Sequence, residues 1–155
     1  MKTLEWKKST ATGDWAVYDK EALLPFEEDR GQKCVYLIWS ESERQMVYVG
    51  SGDVDRLWDH LNPSDPAYER IHAHENLKAT YALIDEKYML GAENYLVQVY
   101  EPSAVEASPE ESFVEVSLPE NIGVSYHSDR AKETPNRVRA MRALIDCSKD
   151  KIENS

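Results

Sequence analysis

Residues 34–61 read CVYLIWSESERQMVYVGSGDVDRLWDHL, and this stretch decides the fold class. Val35 to Trp39 is an unbroken apolar run, the length of a strand buried on both faces. Met46 to Val49 is a second such run, and the polar residues between, Ser40 to Gln45, read as a hairpin connection. Centring that hairpin near Ser42 places Tyr36 and Tyr48 opposite each other on one face, and a slip of one residue parts them. Gly50, Ser51 and Gly52 break the strand, and Asp53 is positioned as the N-cap of a helix.

Within that helix Val54, Leu57, Trp58 and Leu61 fall at i, i+3, i+4 and i+7, a core-facing stripe. Arg56 and His60 are four apart and share a different face. Taken singly these residues are ordinary: strand tyrosines pack, and an Arg and a His on a polar helix face are solvated. In this order they resemble the GIY-YIG nuclease superfamily. Cys34-Val35-Tyr36 is similar to its first motif, with Cys in place of the usual Gly, and Tyr48-Val49-Gly50 to its second. Arg56 and His60 match its helical Arg and His. Glu93, in Glu93-Asn94-Tyr95-Leu96-Val97 ahead of Glu101-Pro102, matches its metal-binding Glu. Val116-Ser117-Leu118-Pro119 is similar to a later Val-Asn-Leu-Pro element, with Ser117 replacing Asn. The match runs from about Cys34 to Pro119, more than half the chain.

At 155 residues the chain is long enough for one domain with a core and too short to expect two. The expected fold class is α+β: a small three-stranded, mainly antiparallel sheet flanked by helices, with an extra C-terminal strand and helix. Residues 1–33 read as an irregular N-terminal arm packing Trp6, Trp15, Tyr18 and Phe26 on the core, with a helical turn near Glu21. Residues 34–119 form the GIY-YIG-like core. After the helix that follows Asp53 stops at Asn62-Pro63, Asp65-Pro66 opens a short helix through His72. Lys78 to Ile84 is the third strand, and a helix from about Glu86 or Lys87 to Tyr100 carries Glu93 at the edge of its apolar stripe. Gly91, costly inside a helix, suggests close approach by a neighbouring segment. Phe113 to Leu118 alternates as a short strand, and residues 125–148 read as a helical extension opened by Thr134-Pro135. There Val138, Met141 and Ile145 face inward, leaving Arg137, Arg139 and Arg142 as the one basic cluster of note.

Net charge is −11, and residues 34–124 hold five Lys or Arg against seventeen Asp or Glu. That field opposes phosphate binding, which depends on Lys and Arg. With no signal sequence or apolar span at the N-terminus, Cys34 and Cys147 read as free thiols of a cytoplasmic protein. His72 and His74 are poorly spaced as metal ligands and read as surface residues.

The resemblance implies a metal-dependent endonuclease that hydrolyses DNA or RNA with one magnesium or manganese ion. Glu93 would hold the ion, as the one carboxylate within reach of Arg56 and Tyr36. Tyr36 would position or deprotonate the attacking water, with His60 or Arg56 offsetting its high pKa. Arg56 would bind developing charge, Tyr48 would orient phosphate or water, and Gly50 would let backbone approach. Arg137, Arg139 and Arg142 would hold the nucleic-acid backbone. The alternative is a weakly active or inactive relative that binds a basic protein through its acidic face, as a nucleic-acid mimic.

Overall fold

The apolar run Val35–Trp39 becomes the middle of the sheet. The computed structural model describes residues 1–9, 13–104 and 113–126. Its sheet contains β1 (Ala16–Val17), β2 (Lys33–Ser40), β3 (Gln45–Asp53) and β4 (Leu77–Leu83) in the order β1-β4-β2-β3, with every neighbouring pair antiparallel. β2 therefore has a partner on each side, and Cys34 to Ser40 are all buried. The chain is α+β, with helices flanking this antiparallel sheet.

Alternation along β2 divides the core in two. Val35, Leu37 and Trp39 point to one face and meet Ala92, Tyr95, Leu96 and Val99 of α3 (Glu86–Tyr100). Cys34, Tyr36 and Ile38 point to the other. That face is closed by Tyr18 and Phe26 of the arm, Leu57 of α1 (Arg56–Asp59) and Ile71 of α2 (Tyr68–His72).

Four expectations change. The sheet has a fourth strand, and it comes from the arm: Ala16 and Val17 pair with Ala79 and Lys78 at the free edge of β4. Residues 113–118 contribute only one bridge, Val116 parallel to Lys2, made by Lys2 N–H to the Glu115 carbonyl and Ser117 N–H to the Lys2 carbonyl, while Val114 N–H is taken by the Gly91 carbonyl of α3. The helix after Gly52 is also much shorter. Asp53 stays in β3 opposite Lys33, whose Nζ lies 2.7 Å from its carboxylate, so Asp53 is not a cap and α1 begins at Arg56. Finally, α2 begins at Tyr68, while Asp65 accepts the Ala67 N–H ahead of it.

The arm is irregular as expected, with a 3-10 turn at Leu24–Asp29. The Asp29 carboxylate takes a short hydrogen bond from Tyr81 Oη, while Lys7 N–H donates to the Tyr81 carbonyl. The helical extension expected at 125–148, with Arg137, Arg139, Arg142 and Cys147, lies outside the described residues beyond Tyr126. Among the described residues no helix is long and apolar enough to cross a membrane.

Gly91 does permit a close approach. A Cβ there would lie 2.6 Å from Val114 Cγ2 and 3.2 Å from the Val114 backbone nitrogen. Overpacking of this kind costs about 1–3 kcal/mol. Gly91→Ala is expected to lower the unfolding free energy obtained from urea titration by that amount, despite alanine's better helix propensity. Adding Val114→Ala should recover part of the loss, because it removes the nearest atom and leaves the backbone contact. A Gly91→Ala protein as stable as wild type would show that the segment does not press on α3.

Candidate active site

The two motif tyrosines reach one face through a fault in the hairpin. At the tip, Ser40 pairs with Gln45 and Trp39 with Met46. Continued unbroken, that register would set Tyr48 against Leu37, on the face covered by α3. Instead Ile38 pairs with Tyr48 and Tyr36 with Gly50, so Val47 is an extra residue in β3. Val47 and Tyr48 consequently turn to the same side, that of Tyr36. The phenols share a face, as expected, but they are offset by two positions along the ladder rather than opposite. Their rings stack with centroids 5.9 Å apart and planes 18° from parallel.

The partner facing Tyr36 must be glycine. A Cβ on Gly50 would collide with Cζ and Oη of Tyr36 and lie 2.8 Å from Cε2. The expectation that Gly50 lets backbone approach a substrate is replaced by a nearer role: the bare strand makes room for the Tyr36 ring. Gly52, at φ +140°, then turns the chain towards α1, where Arg56 Cγ would be 3.3 Å from an added Cβ.

His60 departs most from expectation. It caps α1, its N–H donating to the Arg56 carbonyl, yet it does not share a solvated face with Arg56. The His60 side chain is 1% exposed and that of Arg56 is 45% exposed. Four residues span slightly more than one turn of a helix, and α1 lies so close to the sheet that this offset separates inside from outside. His60 packs against both phenols, with centroids 5.7 Å from Tyr36 and 4.8 Å from Tyr48. Its Nε2 is 2.8 Å from Tyr36 Oη and its Nδ1 is 2.7 Å from Asp65 Oδ2. A buried imidazole thus has partners at both nitrogens, as burial requires.

Sequence reasoning missed Asp65 as part of the site. The Asp-Pro pair before a short helix drew attention to capping, and nothing local showed that the carboxylate would reach back to His60. Burial works to raise its pKa. The hydrogen bonds from His60 and the Ala67 N–H, with the Arg56 charge nearby, outweigh burial and hold it below the ordinary carboxylate range. Tyr18 was also read only as packing. Its Oη donates to the Leu57 carbonyl at 2.6 Å, tying the arm to α1, and its ring stacks on His72. His72 in turn lies against Tyr68, and its Nε2–H donates to the His60 carbonyl at 3.0 Å. His72 and His74 are half-buried rather than surface residues, and His74 bonds to Glu43 and Ser103.

Tyr36 Oη is the centre of the cluster. Burial and the neighbouring Tyr48 push its pKa well above the usual phenol value, and the hydrogen-bonded Arg56 guanidinium pulls against them without prevailing. Arg56 also lies 3.4 Å from Asp59 Oδ2. Asp59 and Asp65 therefore correct the expectation of a single carboxylate near Arg56 and Tyr36.

Glu93 is half-buried on α3, and α3 packs on the Leu37 face of β2 and β3. The structure brings Tyr36, Tyr48, Arg56 and His60 together; it sets Glu93 on the helix that covers the opposite side. Ser117 is engaged with the N-terminus: its Oγ accepts the Leu4 N–H at 2.8 Å, and its carbonyl accepts Trp6 Nε1–H. Among the described residues no group of three His, Cys, Asp or Glu side chains is placed to share a metal ion. Compared with protein-family models, with curated proteins and with solved structures, the chain matches none.

Gly50→Ala tests the packing directly. Gly50 has no positive φ, so the cost of the added methyl is steric. The substitution is expected to destabilise the fold by about 1–3 kcal/mol and to shift the Tyr36 ring resonances in NMR spectra. In a Tyr36→Ala background the same methyl should cost little, a coupling that a double-mutant cycle measures. Additive losses would mean that the Tyr36 ring does not lie across Gly50.

Proposed function

We propose that the Tyr36 face is a hydrolytic site for nucleic-acid phosphodiesters, of the GIY-YIG kind. One observation carries the reading: β2, β3 and the end of α1 converge Tyr36, Tyr48, Arg56 and His60 on a single phenol oxygen. A buried hydroxyl needs one partner, and here an imidazole and a half-exposed guanidinium are set about the same oxygen.

The chemistry follows from the donors present. Arg56 is permanently charged and half-exposed, so it can receive the non-bridging oxygens of a phosphodiester. In doing so it exchanges its Asp59 partner for the phosphate. A water placed against Tyr36 attacks phosphorus. Its proton passes to Tyr36 Oη as the phenol proton passes to His60 Nε2. The bond from phosphorus to the leaving oxygen breaks, and that oxygen takes a proton from solvent. Tyr48, stacked on Tyr36, limits where the water can sit.

Glu93 would hold the single magnesium or manganese ion. A half-buried carboxylate on a long helix fits that ion by donor chemistry, since magnesium keeps several waters and needs few protein ligands. Glu93 belongs to the layer opposite the phenols, so when bound the ion would supply charge stabilisation to the substrate from outside the Tyr36 cluster.

The net charge of −11 favours a second reading, in which the acidic surface binds a basic protein and the site turns over little or nothing. Cleavage assays on mixed DNA and RNA, with magnesium and with chelator, separate the two. Arg56→Ala is expected to reduce cleavage by about 10²–10³-fold, the usual cost of removing a donor aimed at developing charge, with a modest loss of binding. Glu93→Gln should keep its thermal midpoint and lose magnesium-dependent cleavage. Undiminished cleavage by Glu93→Gln would overturn the metal assignment. A wild-type protein that neither binds nor cuts nucleic acid at low salt would overturn the hydrolytic reading.

A further inference from the structure

We propose that Asp65 is a positioning residue that selects the His60 tautomer and so makes Nε2 the proton acceptor for Tyr36. The consequence for rate rests on the hydrolytic reading above; the tautomer itself is a property of the free protein.

The geometry leaves His60 little freedom. Its N–H donates to the Arg56 carbonyl and its own carbonyl accepts His72 Nε2–H, so the residue is held at both backbone groups. Its ring is enclosed by Tyr36 and Tyr48 and is buried. Rotating that ring by half a turn would set carbon atoms against Asp65 and Tyr36 and leave a buried carboxylate without its imidazole N–H. The Asp65 carboxylate can only accept, so Nδ1 must carry a proton. A neutral imidazole protonated at Nδ1 has a lone pair at Nε2, which lies 2.8 Å from Tyr36 Oη and accepts its O–H.

The arrangement prepares one transfer. As Tyr36 Oη takes a proton from the attacking water, its own proton moves to Nε2. The imidazolium that forms lies against an ionised carboxylate already 2.7 Å away. Nothing is oxidised or reduced, and the proton gained by His60 is the one lost by the phenol. Asp65 touches neither water nor phosphate and acts through the imidazole alone.

Asp65→Ala tests this role, with Asp65→Asn as its control. Asp65 Oδ2 accepts both the His60 Nδ1–H at 2.7 Å and the Ala67 N–H at 3.0 Å. The amide oxygen of Asn in that place keeps both bonds, whereas Ala leaves a buried Nδ1–H without an acceptor and drives the proton to Nε2, where Tyr36 Oη can accept it. Nitrogen-15 NMR of the histidine rings is expected to report Nδ1–H for His60 in wild type and in Asp65→Asn, and Nε2–H in Asp65→Ala. In Asp65→Ala, cleavage of a nucleic-acid substrate should fall by about 10²–10⁴-fold, the usual range for losing a general acid or base, in kcat rather than KM. Asp65→Glu, which keeps an acceptor, should restore Nδ1–H and part of the rate.

A wild-type His60 carrying its proton on Nε2, or an Asp65→Ala enzyme within a few-fold of wild type, would overturn the proposal. Should Asp65→Ala fail to fold, the wild-type ring measurement still decides the tautomer. Should wild type cleave nothing, the hydrolytic reading falls, and the same ring measurement still accepts or rejects the positioning role.

Discussion

One additional residue in β3, Val47, sets the chemistry of this molecule. The hairpin tip and the strand ends follow registers that differ by one, and the bulge absorbs the difference. Tyr48 turns to the face of Tyr36, Gly50 comes opposite Tyr36, and the Tyr36 ring can lie across bare backbone. That placement in turn leaves a polar hydroxyl buried in an otherwise apolar face. A buried hydroxyl without a partner costs a few kcal/mol, and His60, Arg56 and Tyr48 supply partners. The candidate site is therefore also the solution to a packing problem, and it is held as firmly as the core beside it.

Two separate parts of the chain hold that solution in place. α1 has only four residues, too few to be stable alone. Tyr18 from the arm bonds to its Leu57 carbonyl, and His72 from α2 bonds to the His60 carbonyl immediately after it. The arm thus extends the sheet as β1, closes the phenol face and fixes the segment that presents Arg56 and His60. Its first residues do similar work on the other face, where Leu4 and Trp6 bond to Ser117. Ser117 stands where the resembled family carries an amide, and here that position joins the two ends of the described fold.

The acidic balance also changes meaning once the chain is folded. The four aspartates that follow Gly52 each meet a basic or imidazole partner: Asp53 meets Lys33, Asp55 meets Arg30, Asp59 meets Arg56 and Asp65 meets His60. Lys33 and Arg30 belong to the arm, outside the strongly acidic stretch. The three exposed pairs, made by Asp53, Asp55 and Asp59, each add little to stability, but they lower the negative potential where a phosphate would arrive. Arg30 also lies over the Trp58 ring, 4.6 Å from its centroid, which keeps a cation beside α1.

Much of the framework was legible in the sequence because its signals are local. An unbroken apolar run marked β2 as a strand buried on both faces, the stripe through Ala92, Tyr95, Leu96 and Val99 marked α3, and a glycine inside that helix marked a close contact. The ordered residue set Tyr36, Tyr48, Gly50, Arg56 and His60 was legible too. What the tertiary structure alone decided is everything that depends on pairing across the chain. A bulge has no local signature, since Val47 is as good a strand residue as its neighbours. Burial of His60 depends on how close α1 lies to the sheet, not on its spacing from Arg56. The reach of Asp65 to His60, the pairing of Ala16 with Ala79 and the placement of Glu93 on the layer opposite the phenols are likewise long-range. Periodicity states which residues can share a face; only the packed chain settles which faces meet, because contact energy belongs to pairs of residues that the sequence keeps far apart.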